Sequence, residues 1–223
     1  MTLATGPDFV ERRTIEAHLA DGTRVRIRPI EPGDKQTLAD GFARMSPESR
    51  YRRFMSPIDE LTPDMLRHLT EVDHVDHFAW VAFALDEPGE PGVGVARYVR
   101  LADEPAVAEA AVTVIDELQG RGLGTLLLQA LGAVAIENGI ERFRGYVLED
   151  NRRMRQILEE SGAIVAHDAP GVVRVDVPLP VADAAIKETE AYRALRALAR
   201  GEGPRLLRWG ALWSPPGDPA GQV

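Results

Sequence analysis

Ala111-Val112-Thr113-Val114-Ile115-Asp116-Glu117-Leu118-Gln119-Gly120-Arg121-Gly122-Leu123-Gly124-Thr125 carries a β-branched apolar run into a glycine-rich turn. The run reads as a strand, and the residues after Gly124 read as a long helix. Glycines let backbone amides turn inward without Cβ obstruction, and a helix N-terminus adds the positive end of its dipole. Strand, glycine turn and helix start together make an anion site whose natural ligand is phosphate or pyrophosphate. The plain alternative is a tight turn packed on a sheet. Two other phosphate motifs do not fit. A dinucleotide fold requires G-x-G-x-x-G, whereas Gly120, Gly122 and Gly124 read G-x-G-x-G; a P-loop ends in G-K-[ST], where this chain has Leu123-Gly124-Thr125.

Working outward, Leu127, Ala130, Leu131, Val134 and Ala135 recur at spacings of three and four, one face of a helix that Asn138-Gly139 closes. Upstream, Phe78 to Leu85 and Val93 to Leu101 read as strands joined by the hairpin loop Glu87-Pro88-Gly89-Glu90-Pro91-Gly92, and a further strand spans about Ala106 to Ile115. Nearer the start, the turn Asp21-Gly22 precedes an alternating strand from Thr23 to Ile30, with Val25, Ile27 and Pro29 toward one side. Pro32-Gly33-Asp34 starts a helix running to about Met45, which Ser46-Pro47 stops; Thr62-Pro63-Asp64 starts a second, running to about Val72. Downstream come a strand from Arg142 to Leu148, a helix opened by Asn151 and closed by Ser161-Gly162, and a hairpin of Ala163 to Val165 and Val172 to Val177.

This order predicts an α/β fold, a mixed sheet of about seven strands flanked by helices. Residues 1–20 read as an N-terminal lead-in, 21–180 as the domain, and 181–223 as a helical accessory tail beyond Pro178 and Pro180. In the tail, Asp183 is expected to cap a helix reaching Arg200, with Tyr192, Leu195, Leu198 and Ala199 near one face and Gly201-Glu202-Gly203-Pro204 ending it. Leu206, Leu207, Trp209, Leu212 and Trp213 come next, too apolar to stay in water. They are expected to pack on the domain or on a second subunit as a homodimer, while Pro215 to Val223 frays.

Composition narrows the function. The 223 residues carry a net charge of −9, with 44% hydrophobic and 27% charged residues. A chain of pI about 5.1 has no broad basic face for nucleic acid. With no cysteine there is no disulfide scaffold, thiolate-bound metal or cysteine nucleophile. Met1 to Pro7 lacks the basic and apolar regions of a signal peptide, and no stretch approaches the roughly 18 apolar residues of a membrane span. The chain is therefore read as cytoplasmic, with no membrane partner.

The glycine segment resembles the acyl-CoA loop of the GNAT acetyltransferase superfamily, Q/R-x-x-G-x-G/A, met by Gln119, Gly122 and Gly124, and the order of elements from Thr23 to Val177 is the superfamily's. The flanks are similar to the catalytic domain of bacterial Pat-type protein lysine acetyltransferases. These are Leu19-Ala20-Asp21-Gly22-Thr23, Ile27-Arg28-Pro29-Ile30, Ser46-Pro47-Glu48-Ser49-Arg50-Tyr51-Arg52-Arg53-Phe54 and Leu69-Thr70-Glu71-Val72-Asp73-His74, within a match from about Leu19 to Leu179.

That resemblance implies acetyl-CoA as co-substrate, no metal, and a protein lysine as acceptor, with an acyl-CoA synthetase the first candidate partner. It implies that the amides of Gln119, Gly120, Arg121, Gly122, Leu123, Gly124 and Thr125 bind the CoA pyrophosphate. It also implies that the backbone of Val112, Thr113 and Val114, on a strand that splays from its parallel neighbour, pairs with the pantetheine arm. Arg121 either assists the phosphates or is a solvated loop arginine. Asn151 matches the asparagine that contacts the pantetheine region, and also suits plain N-capping.

Lysine has a reference pKa of about 10.4, so a base must free the amine at neutral pH. Glu109, upstream of the pairing segment, resembles the glutamate base of Pat-type enzymes; the alternative is a solvent-facing strand residue. An amide near Val112 is expected to polarise the thioester carbonyl. Many superfamily members carry a tyrosine as thiolate acid seven residues after the asparagine; this chain has Leu158 there, so the acid is unassigned, and Tyr146 lies on a strand of unknown facing. His74 and His77, with Asp73 and Asp76, invite a metal reading without a third ligand, against a substrate-pocket lid or mere exposure. Arg50, Arg52 and Arg53 form an anion patch or are solvated or ion-paired. Two other functions remain open: a small-amine acetyltransferase, and a non-catalytic acyl-CoA sensor.

Overall fold

The computed structural model describes residues 7–152, 154–155, 163–179, 190–202 and 206–207. Asp183, Trp209, Leu212, Trp213 and the end from Pro215, singled out for the tail, lie outside the described residues, as does Leu158.

The described residues build one open α/β sheet of nine strands. Strands β1 (Ile15–His18), β2 (Arg24–Pro29), β3 (His77–Ala84), β4 (Gly92–Arg100) and β5 (Val107–Val114) run as successive antiparallel neighbours. β6 (Arg142–Leu148) joins β5 in parallel, and the hairpin β7 (Ile164–Ala169) and β8 (Val172–Pro178) completes that edge through β8. At the other edge β9 (Leu206–Leu207) pairs in parallel with β1. The expected seven strands become nine because β1 lies in the stretch read as a lead-in and β9 in the tail. Residues 7–19 form a helix, α1 (Pro7–Arg12), and then β1, whose Ile15 and Ala17 are buried with Leu19. Their alternation spans four strand residues, too short to stand out from charged neighbours.

Helices cover both faces. On one, α5 (Leu123–Glu137) buries Leu127, Ala130, Leu131, Val134 and Ala135, the face its spacing predicts, over Phe78, Trp80 and Tyr98. α6 (Glu190–Arg200) packs beside it through buried Leu195, Leu198 and Ala199, with Arg196 paired to Glu137 at 2.5 Å. Arg13 donates to the Ala199 carbonyl at 3.0 Å, tying this helix to the N-terminal segment.

On the opposite face lie α2 (Lys35–Ala43), α3 (Pro47–Phe54) and α4 (Pro63–Thr70). Ser46-Pro47 does end α2, but it also begins α3. The Ser46 hydroxyl accepts from the Ser49 amide at 3.2 Å, and Pro47 takes the first helical turn. This helix escapes a reading by apolar periodicity because it is arginine-rich and buries none of its residues fully. α2 is positioned by a fork between Arg28 and buried Asp34, at 2.8 and 2.6 Å, with the Glu31 amide donating to the same carboxylate. Gly92 lets α2 approach β4 closely, since a Cβ there would meet the Thr37 methyl at 2.4 Å.

Candidate active site

The loop after β5 is held by its own side chains. Gly120 and Gly122 have φ of 80° and 89°, the left-handed region that glycine adopts without strain. Gly122 is the N-cap of α5, so the turn delivers the chain straight into the helix start. Gln119 donates to the Val114 carbonyl at 3.1 Å and to the Ser49 hydroxyl at 3.3 Å. Asp116 accepts from the Ser46 amide, the Ser46 hydroxyl and the Ser49 hydroxyl, at 2.9, 2.9 and 2.8 Å. Burial alone would raise its pKa, but these donors prevail and hold it below the ordinary carboxylate value. The start of α3 is thus clamped to the loop, a link between segments that no sequence spacing announces. Arg121 is neither plainly solvated nor free: it pairs with Asp21 at 2.9 Å, an arrangement that neither of its sequence readings named. Asn151 accepts from the Met154 amide at 3.2 Å, the capping half of its two readings.

The expected splay is present. β5 and β6 pair only at Val107–Arg142, Ala108–Phe143 and Glu109–Arg144, although β5 continues to Val114 and β6 to Leu148. Beyond Glu109 the strands part, and the Val112–Val114 segment borders the opening. Glu109 is therefore the last paired residue before the gap, and its side chain is exposed.

Strand alternation places Glu109 on the same face as Ala111, Thr113 and Ile115. These three line a cleft under α2, α3 and the helix α4, whose other walls include Phe42, Met45, Phe54, Leu69 and Val95. Tyr146 falls on this face too, two residues beyond Arg144, and is 36% exposed.

Two arginines line the cleft. Arg97 of β4 is buried; it donates to the Leu69 carbonyl at 3.1 Å and to His77 Nε2 at 3.2 Å. Burial first, and then the charge of Arg53, bring its pKa down to about 9. Arg53 lies over the Phe54 ring at 4.9 Å; burial lowers its pKa while Glu109 opposes the shift. His77 is held neutral, its pKa lowered to about 4 chiefly by burial and then by Arg97. The three arginines of the expected patch therefore part company. Arg50 donates to the carbonyls of Met45, Ala43 and Asp59, and Arg52 pairs with Glu48 at 2.6 Å, leaving Arg53 alone to reach the cleft. Arg97 was not singled out from the sequence; its one signal is a charge in phase with Val95 and Val99 in β4.

The histidine pair does not converge. His74 has a left-handed φ of 63° and lies against the Phe9 and Phe78 rings on the α5 face, whereas His77 lies on the other face against Arg97 and His68. Among the described residues no group of three or more His, Cys, Asp or Glu is arranged to hold a metal, and no helix is long and apolar enough to cross a membrane.

The family model for the acetyltransferase (GNAT) domain matches residues 24–164, the span that contains the loop, the splay and the cleft. The chain belongs to the GNAT acetyltransferase family. Members of that family draw acetyl groups from acetyl-CoA. Acetyltransferase Pat of Mycolicibacterium smegmatis is 37% identical over 186 residues, 83% of this chain and 55% of the relative. The chain thus spans about half the length of that relative. Acetyltransferase PA5475 of Pseudomonas aeruginosa is 33% identical over 150 residues, 67% of this chain and 80% of the relative. Among solved structures, the GNAT domain of S. lividans PAT superposes with a TM-score of 0.68 at 33% identity, covering 75% of this chain and 97% of that one. A cAMP-binding acyltransferase from Mycobacterium smegmatis gives 0.58 at 32% identity, covering 87% of this chain and 57% of that one.

Proposed function

We propose that this GNAT domain transfers the acetyl group of acetyl-CoA to the side-chain amine of a protein lysine, with Glu109 as general base. The observation that carries this reading is the placement of Glu109. It is an exposed carboxylate on the cleft face, at the last residue pair before the strands part. The loop amides from Gln119 to Thr125 would hold the pyrophosphate, and the β5 backbone from Val112 to Val114 the pantetheine arm. The thioester then lies in the opening, close to Glu109. The carboxylate takes the ammonium proton, and the neutral amine attacks the thioester carbonyl, whose developing oxyanion an amide near Val112 stabilises. The carbon–sulfur bond breaks, and the second proton, shed by the nitrogen as the amide forms, passes through water to the CoA thiolate, leaving CoA thiol and the acetylated amine. A free thiol has a pKa of about 8.5, so water suffices to protonate the thiolate. An acyl-CoA synthetase is the first candidate acceptor, on the strength of the likeness to Pat, and the activity is assigned to the cytoplasm.

A second reading, a small-amine acetyltransferase, has its own support: the cleft is concave and mostly apolar with Arg53 and Arg97 as its charged groups, the make-up of a small-ligand site. One experiment separates the two. The protein is incubated with acetyl-CoA and a bacterial proteome, acetylated lysines are mapped by mass spectrometry, and CoA release is followed against a panel of polyamines and aminoglycosides. Defined lysine sites appearing well above the enzyme-free background are expected. Small amines turning over far faster than any protein would overturn the protein-lysine reading, and no CoA release with any acceptor would leave an acyl-CoA sensor.

A further inference from the structure

The cleft is cationic inside a protein of net charge −9. Arg97 and Arg53 both line it, and each is close enough to the other for Arg53 to lower the Arg97 pKa. Among the described residues neither guanidinium forms a salt bridge. The two hydrogen bonds of Arg97 go to a carbonyl and to a neutral imidazole, which leave its charge uncompensated. The carboxylate that Arg53 senses is Glu109, at the exposed edge and engaged, in the proposed reaction, with the acceptor amine. Buried charge without a counter-charge is costly, and guanidinium is the group best matched to a carboxylate, in a two-pronged fork. A lone ammonium entering here would also meet two positive charges behind one negative. An acceptor that carries its own anion removes both penalties.

We infer that the cleft reads a carboxylate on the acceptor: Arg53 and Arg97 bind an acidic group while the amine to be acetylated stands at Glu109. This rests on the acetyl-transfer reading. In a protein substrate the carboxylate belongs to an aspartate or glutamate near the target lysine; in a small acceptor it belongs to the same molecule as the amine. Arg53 and Arg97 are specificity residues and take no part in the proton transfer.

The test uses two matched pairs of acceptors with the full chain and saturating acetyl-CoA. One pair is a lysine peptide with a flanking glutamate and the same peptide with glutamine. The other is Nα-blocked lysine with a free carboxylate and its carboxamide. The wild type should favour the acidic member at least roughly tenfold in kcat/KM, mainly through KM, the effect of one charged group recognised in a desolvated site. In Arg53→Gln the preference should collapse to within about twofold, with acetyl-CoA affinity by calorimetry reporting an intact fold. Arg97→Lys should reduce it in part, since a point charge replaces the fork. A wild-type enzyme that acetylates both members equally, or an Arg53→Gln variant that keeps the preference, overturns the inference while leaving acetyl transfer intact. If only the blocked amino acid is used, with the same dependence on Arg53, the carboxylate site stands and the protein-lysine reading falls. If neither pair turns over, glutarate titrated calorimetrically reads the site directly: binding by wild type that is lost in Arg53→Gln supports it, and no binding by wild type rejects it.

Discussion

The two ends of β5 are built on opposite plans. At its C-terminal end every side chain that shapes the loop is matched within the protein: Asp116 to Ser46 and Ser49, Gln119 to the Val114 carbonyl, Arg121 to Asp21. Near its N-terminal half, Glu109 is exposed and has no ion pair among the described residues, and the Arg53 and Arg97 charges in the adjoining cleft face no carboxylate at salt-bridge range. Under the proposed function the contrast follows from what each end would present. A loop that offers backbone amides to phosphates needs a fixed shape, which side-chain hydrogen bonds supply. A cleft that moves a proton and recognises an acceptor needs side chains whose charge is still available.

The sharpest way to separate the ends by stability is pH. Unfolded, His77 takes a proton near its ordinary 6.5, but folded only near 4, so the unfolded state binds the extra proton between those values. Stability is complete above about 6.5 and falls as pH drops toward 4, by up to about 3 kcal/mol at 1.36 kcal/mol per unit. Burial lowers the pKa of His74 too, which adds loss in the same direction. Asp116 loses its partners only at lower pH, as its pKa is depressed below the ordinary 3.8. Melting curves from pH 7 to 4 should therefore show a slope that His77→Asn reduces and Asp116→Asn does not. An unchanged slope in His77→Asn would place the titrating group elsewhere.

A somewhat smaller effect is expected at the loop. Gly122 has φ of 89°, so Gly122→Val strains the backbone by about 1–3 kcal/mol and brings a Cβ to the start of α5. Acetyl-CoA affinity measured by calorimetry should fall by about 10- to 100-fold; unchanged affinity would remove the loop from the CoA site. Arg121 gives the smallest effect. It is already paired with Asp21, and both side chains are part-exposed, so Arg121→Ala should cost under about 1 kcal/mol in acetyl-CoA affinity. A loss of tenfold or more would return Arg121 to the phosphates.

Much of the loop end was legible because it is local. The strand, the glycine spacing and the helix face from Leu127 to Ala135 are all written in consecutive residues. So was the splay, once the resemblance to GNAT acetyltransferases was drawn from Gln119, Gly122 and Gly124. The cleft was not, because it is assembled at long range. Arg97 comes from β4, Arg53 from a helix whose apolar signal is weak, and His77, the partner of Arg97, from the start of β3. The same limit explains β1: Ile15 and Ala17 are buried only because β2 pairs with them. The Arg50, Arg52 and Arg53 triplet shows the difficulty most plainly, since three nearby arginines have three different partners, which only the turn of α3 decides.

The measurement closest to the central claim is the pH–rate profile of Glu109→Gln. That variant keeps the side-chain shape and removes the basicity. Acetyl-CoA affinity should be retained, turnover at neutral pH should drop by about 10²–10⁴, and raising the pH should restore part of it as more acceptor amine is neutral in solution. Near-normal turnover at neutral pH would contradict the account and move the base to another group, and loss of acetyl-CoA binding would make Glu109 a structural residue instead.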